Sequence, residues 1–166
     1  MSGADTRHKR GATPARRAAA TAKPAWAGLA PGALVVVDTA PIIYLLQDHP
    51  QFLPLFIGLF EAEAAGELQI AVSTITVAEV LTGPFRAGQD ALARRYETAL
   101  SRFAVVAVNS SIAVWAARLR ARYMLKLPDA IQLATALELG AAALVTHDRD
   151  FARVEGLAIL RGETLA

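Results

Sequence analysis

Apolar and polar positions along the chain fall into short hydrophobic runs separated by stretches of helical period. Ala33-Leu34-Val35-Val36-Val37 is a continuous apolar run, the pattern of a strand buried on both faces. It stops at Asp38-Thr39. Pro41 suits the first turn of a helix continuing from Ile42 to Gln47, and residues 50–66 read as a second helix with Pro54 near its start. Leu68 to Val72 alternates and predicts a second strand. Ser73-Thr74 followed by Thr76 to Thr82 predicts a helix that ends at Gly83-Pro84, a stop signal. Residues 88–101 predict an amphipathic helix with Arg94 and Arg95 outward, and residues 103–108 a third strand. From Ser110 or Ser111 a helix is expected to about Tyr123, with Ile112, Trp115, Ala116, Leu119 and Tyr123 on one stripe. Pro128 opens a further helix ending at Gly140. Residues 142–145 form a fourth strand, 147–151 a turn or short helix, and 157–160 a fifth strand. Strands alternating with helices predict a parallel α/β sandwich, without internal repeats.

Composition narrows this to one domain, expected over residues 33–162. At 166 residues with 54% hydrophobic content, the chain can bury a generous core. The mean hydropathy is +0.36, yet the longest uncharged runs, 24–37 and 103–117, fall short of the roughly 18 to 20 apolar residues that span a bilayer. No membrane association is expected. The absence of cysteine excludes a disulfide framework, a thiolate zinc site and a cysteine nucleophile, and fits a reducing, cytoplasmic setting. Three histidines are too few and too scattered for an imidazole-rich zinc site.

Charge separates an arm from the domain. Residues 1–26 carry six cations (Arg7, Lys9, Arg10, Arg16, Arg17, Lys23) against Asp5, a net of +5, which leaves eleven cations against fourteen acids, −3, in the rest. This Ala-, Gly-, Thr- and Pro-rich stretch without apolar periodicity is expected to be a disordered basic arm. It can bind nucleic acid non-specifically, be a cleaved targeting peptide, or be dispensable, the plainest of the three.

Four acids stand out against the apolar background: Asp38, Glu79, Asp129 and Asp148, each where a strand-like run meets a helix start. Singly, each has a structural explanation. Asp38 can cap the helix containing Pro41, Thr76-Val77-Ala78-Glu79 matches a capping box, Asp129 follows Pro128 in a first turn, and Asp148 can cap the turn before Phe151. Together they point elsewhere, because the carboxyl ends of parallel strands gather at one edge, where open sheets bind ligands. Two carboxylates about 4 Å apart repel by roughly 4 kcal/mol at the effective dielectric of a protein surface. Such a cluster needs a cation or takes up protons. Oxygen-only ligands select a hard ion, Mg²⁺ or Mn²⁺, whose chemistry at a phosphate ester is hydrolytic. A phosphatase fits that chemistry as well as a nuclease. A haloacid dehalogenase type of phosphatase fits poorly, since Ala40 stands where its second aspartate belongs.

The blocks Val35-Val36-Val37-Asp38-Thr39, Ser73 to Gly83 (STITVAEVLTG), Leu127 to Ala136 (LPDAIQLATA) and Leu144 to Phe151 (LVTHDRDF) resemble the four signature blocks of PIN-domain ribonucleases, and most of all the VapC toxins of type II toxin–antitoxin systems. The resemblance spans residues 33–160. It implies a three-layer α/β/α sandwich with a mostly parallel central sheet of four to five strands, and Mg²⁺- or Mn²⁺-dependent endoribonuclease activity. It also implies a homodimer and a cognate antitoxin. Position by position, Asp38, Glu79 and Asp129 match the three principal acids of the family. Asp148 or Asp150 completes the metal shell, with Asp148 preferred as nearer the strand end, and His147 stands where the family often has Asn. Thr39 and Thr146 are the expected polar supports, Thr39 through its hydroxyl to a carboxylate or to water on the metal.

An RNA substrate needs positive charge around these acids, for which Arg149, Lys126 and Arg86 are the candidates, with Arg149 closest in sequence. No aromatic platform for base stacking is legible. The apolar helical regions 42–66 and 74–102 are expected to supply core, and an exposed strip of them suits an antitoxin helix in a groove. Two other readings stay open: a PIN-type nuclease of RNA processing without a toxin role, and a catalytically silent RNA-binding or dimerising domain.

Overall fold

The structure, a computed structural model, describes residues 25–162. Five strands, β1 (Ala33–Val37), β2 (Leu68–Ser73), β3 (Ala104–Val106), β4 (Ala143–Val145) and β5 (Ala158–Leu160), form one sheet in the order β3-β2-β1-β4-β5. Every pairing is parallel. Among the described residues six α-helices, α1 (Thr39–Leu46), α2 (Ile57–Ala64), α3 (Thr74–Arg86), α4 (Asp90–Leu100), α5 (Ser110–Tyr123) and α6 (Leu127–Glu138), cover the sheet.

Strand alternation divides the core into two. Val36, Ala71 and Leu144 face α5 and α6 in one cluster, while Val35, Val37, Ile70, Val72 and Val145 face α1 to α4 in the other. The result is the three-layer sandwich expected. The central position of β1 follows from its run of valines, buried on both faces. From β1 the chain builds β2 and β3 on one side and then crosses to place β4 and β5 on the other, so strand order reverses beside β1. Open α/β sheets bind ligands at the carboxyl ends of strands where this reversal occurs.

Four local expectations need correction. The helix expected to stop at Gly83-Pro84 runs on to Arg86, with Pro84 buried inside it. Proline removes one helical hydrogen bond without ending the helix. The stop is Gly88, at φ +67, where Gly88 N–H donates to Phe85 O and Gln89 N–H to Pro84 O, the Schellman pattern. The helix expected over 50–66 is instead a 3-10 turn, Leu53–Leu55, and the separate α2, because Phe56 leaves helical geometry at φ −122 after Pro54. Trp115, expected on the buried stripe of α5, is 43% exposed, and only Ile112, Ala116 and Leu119 are fully covered. The capping box at Thr76 is not used: Ser73 caps α3 through its hydroxyl to Thr76 N–H.

Most of the basic arm lies outside the described residues. Its last two residues, Ala25 and Trp26, open a 3-10 turn, Ala25–Gly28, and the Trp26 ring sits so close to Gly58 that a Cβ there would lie 3.2 Å from it. Among the described residues no helix is long and apolar enough to cross a membrane.

Candidate active site

Asp38 is the first residue after β1 and the N-cap of α1, so one backbone turn explains both its capping and its place at the sheet edge. Its Oδ1 accepts Thr39 N–H at 2.7 Å, its Oδ2 accepts the Thr146 hydroxyl at 2.7 Å, and its N–H reaches Val145 O at 2.9 Å across the β1–β4 seam. Burial pushes its carboxyl above the ordinary value, the bonds from Thr146 and Thr39 oppose that, and the charges of Glu79 and Asp148 add to it.

Three further carboxylates converge beside it. One oxygen each of Asp129, Asp148 and Asp150 lies within 4.8 Å of the others. Asp129 sits in the first turn of α6, and its Oδ2 is buried without a hydrogen-bond partner. Burial, followed by the charges of Asp38 and Asp148, raises the Asp129 carboxyl from 3.8 to about 6, against the opposing charge of Lys126. Asp148 N–H donates to the Thr146 hydroxyl at 3.0 Å, and Asp148 Oδ1 accepts Asp150 N–H at 2.8 Å, which turns the chain so that both acids reach the cluster.

The grouping differs from the one expected in sequence. Asp148 and Asp150, posed as alternatives, enter the cluster together. Asp38 stands alongside with both oxygens hydrogen-bonded, and Glu79, exposed on α3, is outside the three-carboxylate group, its Oε2 accepting the Thr39 hydroxyl at 2.5 Å. Three converging carboxylates, one with a buried oxygen lacking any donor, fit a hard divalent cation: the donors are all oxygen, and the cation would offset the charge that lifts Asp129.

Behind Glu79 lies a polar network the sequence reading did not include. Gln132, fully buried on α6, donates from Nε2 to Thr76 Oγ1 at 2.7 Å and to Thr39 Oγ1 at 3.3 Å, while Ser73 donates its hydroxyl to Gln132 Oε1 at 2.9 Å. α6 is buried without interruption from Ala130 to Ala136, so a glutamine there must be satisfied internally. That was the available signal: an amide inside the apolar run Ala130-Ile131-Gln132-Leu133-Ala134. With Gln132 donating to its oxygen, the single Thr39 hydrogen is directed at Glu79.

The other side of the site is aromatic. His147 Nδ1 and the Tyr44 hydroxyl are 2.9 Å apart, and His147 meets Phe52 and Phe56 edge-on at 5.0 and 5.8 Å. Burial, and after it the Asp38 charge, raise the Tyr44 hydroxyl above its ordinary pKa. Of the RNA-binding candidates, Lys126 Nζ lies 3.8 Å from Asp150 and Arg149 is next to it in sequence, whereas Arg86 is in the last turn of α3, at the end away from the Ser73 cap.

The profile described as PIN domain matches residues 35–157. Among solved structures, a toxin–antitoxin complex from Klebsiella pneumoniae shares 32% identity over 79% of this chain and 99% of that one, with a TM-score of 0.62. DNA-bound VapBC from Salmonella typhimurium is 20% identical, covers 78% of this chain and 98% of its own, and has a TM-score of 0.65. A sarcin–ricin loop-cleaving VapC toxin from Mycobacterium tuberculosis is 18% identical over 71% of this chain and 92% of its own, at 0.56. The last two likenesses are of fold. No curated protein matches the chain at a significant level.

Proposed function

The chain belongs to the PIN-domain family, and from that premise we propose that it is a divalent-metal-dependent endoribonuclease acting as the toxin of a type II toxin–antitoxin pair in the cytoplasm. The observation that carries the enzyme reading is the convergence of Asp129, Asp148 and Asp150 at the strand-order reversal, with Asp129 Oδ2 lacking a partner. The toxin reading rests on the 32% identity to a protein of a toxin–antitoxin complex.

Asp129, Asp148 and Asp150 would hold Mg²⁺ or Mn²⁺, with nearby Asp38 adding its charge. The ion would supply charge neutralisation at the phosphodiester and make a bound water more acidic. Asp38 and Thr146 fix the loop that carries Asp148 and Asp150. Glu79, outside the cluster and bonded through one oxygen to Thr39, is our candidate for taking the proton of the attacking water. Lys126 and Arg149 offer positive charge to the RNA backbone.

A surface groove of about 340 Å³, whose apolar floor of Leu45, Leu46, Ile57, Phe60 and Phe103 is bordered by Glu61, Glu63 and Arg102, supports a helical antitoxin as partner. Purified protein is expected to cleave RNA only with Mg²⁺ or Mn²⁺, and Asp129→Asn to abolish cleavage with the fold intact. Cleavage persisting in excess chelator would overturn the enzyme reading. Failure of expression to arrest growth, or of a co-expressed neighbouring antitoxin gene to relieve the arrest, would overturn the toxin role alone.

A further inference from the structure

Beside Asp150 the surface opens into a polar cleft of about 410 Å³ lined by Tyr123, Met124, Arg149, Asp150, Ala152 and Arg153. Its volume is within the roughly 300 to 1,000 Å³ range of small-ligand sites. Asp150 belongs both to this cleft and to the carboxylate cluster, so the two are continuous.

The cations here differ from those on the adjoining helix. Arg122 is paired with Glu155 at 3.2 Å and lies over the Tyr123 ring at 5.0 Å, and Arg118 lies over Trp115 at 5.7 Å. Arg149 and Arg153, both exposed, form no ion pair with a carboxylate among the described residues. Two guanidinium groups beside an acidic centre, and not neutralised by it, form a ready anion site. At the mouth stands Met124, 84% exposed and at φ +58, a left-handed conformation that costs a side-chain-bearing residue roughly 1 kcal/mol or more. Glycine would close α5 there without strain, so the methionine presents an apolar surface at a conformational cost.

We propose that this cleft receives the nucleotide next to the scissile phosphodiester of single-stranded RNA, with Arg149 and Arg153 holding its backbone phosphate and Met124 covering its base. The proposal rests on the ribonuclease reading and adds the direction in which the strand leaves the metal centre. A phosphate in the cleft lies next to Asp150, the one acid among the residues that line it, so the cleft adjoins the carboxylate cluster.

The test is the salt dependence of binding by the full chain to a fluorescein-labelled single-stranded oligoribonucleotide, followed by anisotropy in chelator so that no cleavage occurs. Arg153→Gln and Arg149→Gln are each expected to weaken binding about tenfold and to flatten the slope of log K against log salt by about 0.7, the value for one lost phosphate contact. Arg122→Gln is expected to leave the slope unchanged. Met124→Gly is expected to raise thermal stability while weakening RNA binding, opposite directions that a purely structural methionine would not give. An unchanged slope in both Arg149→Gln and Arg153→Gln, or an equal fall in Arg122→Gln, overturns the cleft while wild-type cleavage keeps the nuclease reading. Wild-type protein that neither binds nor cleaves the RNA overturns both.

Discussion

Thr146 and Asp38 are joined across the β1–β4 seam by a 2.7 Å hydrogen bond in which the Thr146 hydroxyl donates to Asp38 Oδ2 while accepting Asp148 N–H at 3.0 Å. One side chain thus sets the depth of a buried carboxylate and the position of the loop that delivers Asp148 and Asp150. Thr146→Val keeps the volume and removes both bonds. It is expected to destabilise the protein by about 2 kcal/mol, the scale for a buried charged acceptor losing a donor. The bond lowers the Asp38 pKa, which burial raises overall. Its loss therefore weighs most where Asp38 is ionised and shrinks in acid where the carboxyl is protonated in both states. Urea unfolding of both proteins at neutral and acid pH checks this, with Thr146→Ser restoring the difference; equal destabilisation at both pH values would show that the charge on Asp38 is not involved.

Asp129 gives a second pH dependence, of the metal-free protein. Its carboxyl is raised to about 6 in the fold, so between its unfolded value and about 6 the folded state binds more protons than the unfolded one. Stability from this group is then present in acid and lost as pH rises through that window. Asp129→Asn is expected to stabilise the metal-free protein at pH 7 by about 1 kcal/mol, after discounting the shift for solvent screening, and to have little effect near pH 3. Mn²⁺ is expected to reverse the order, stabilising the wild type by about 2.7 kcal/mol at a hundredfold excess over Kd and the variant far less. Thermal unfolding with and without the ion reads both effects; a variant less stable than the metal-free wild type at pH 7 would contradict them.

The strands and the edge on which the acids gather were legible because a buried parallel strand and its capping turn are local patterns: Val35 to Asp38 carries both in four residues. What stayed hidden was long-range. Nothing near Gly83-Pro84 announces that Gly88 ends α3, since both sites carry good stop residues and only the Schellman bonds decide between them. Trp115 has the period of a core residue, and whether a neighbour covers it is a tertiary matter. That Asp148 and Asp150 lie together in one cluster depends on a bond from Asp150 N–H to Asp148 Oδ1, a backbone turn that neither residue's place in the sequence announces. A bond from Thr39 to a carboxylate was expected, but that the carboxylate is Glu79, 40 positions away, depends on α1 and α3 meeting over the sheet edge.

Gln132 is the residue whose removal best tests that long-range organisation. Gln132→Leu leaves the Ser73 hydroxyl without its acceptor and Thr76 without its donor, at an expected cost of about 2–3 kcal/mol. Because Gln132 acts on Glu79 through Thr39, its effect on cleavage should not add to that of Thr39→Val. A double-mutant cycle is expected to show a coupling of about 1 kcal/mol in kcat, with KM for RNA little changed. Fully additive effects would reduce Gln132 to a packing residue.

The last distinction is between the two acids of the loop. Asp150 is exposed and has Lys126 Nζ 3.8 Å away to share its charge, whereas Asp148 is half-buried and has one oxygen fixed by Asp150 N–H. A preorganised, less solvated carboxylate loses less on capturing a cation, because less water and less side-chain freedom are given up. Asp148→Asn is therefore expected to lower Mn²⁺ affinity about tenfold more than Asp150→Asn, a difference of about 1.4 kcal/mol. Lys126→Met should raise affinity modestly in wild type and by less in Asp150→Asn, because the Lys126 charge acts on Asp129 as well as on Asp150. Isothermal titration of Mn²⁺ into the four proteins and the double variant separates these effects: equal losses from both asparagine substitutions would make the two carboxylates equivalent ligands, and a Lys126→Met effect as large without Asp150 as with it would remove Asp150 from the lysine's influence.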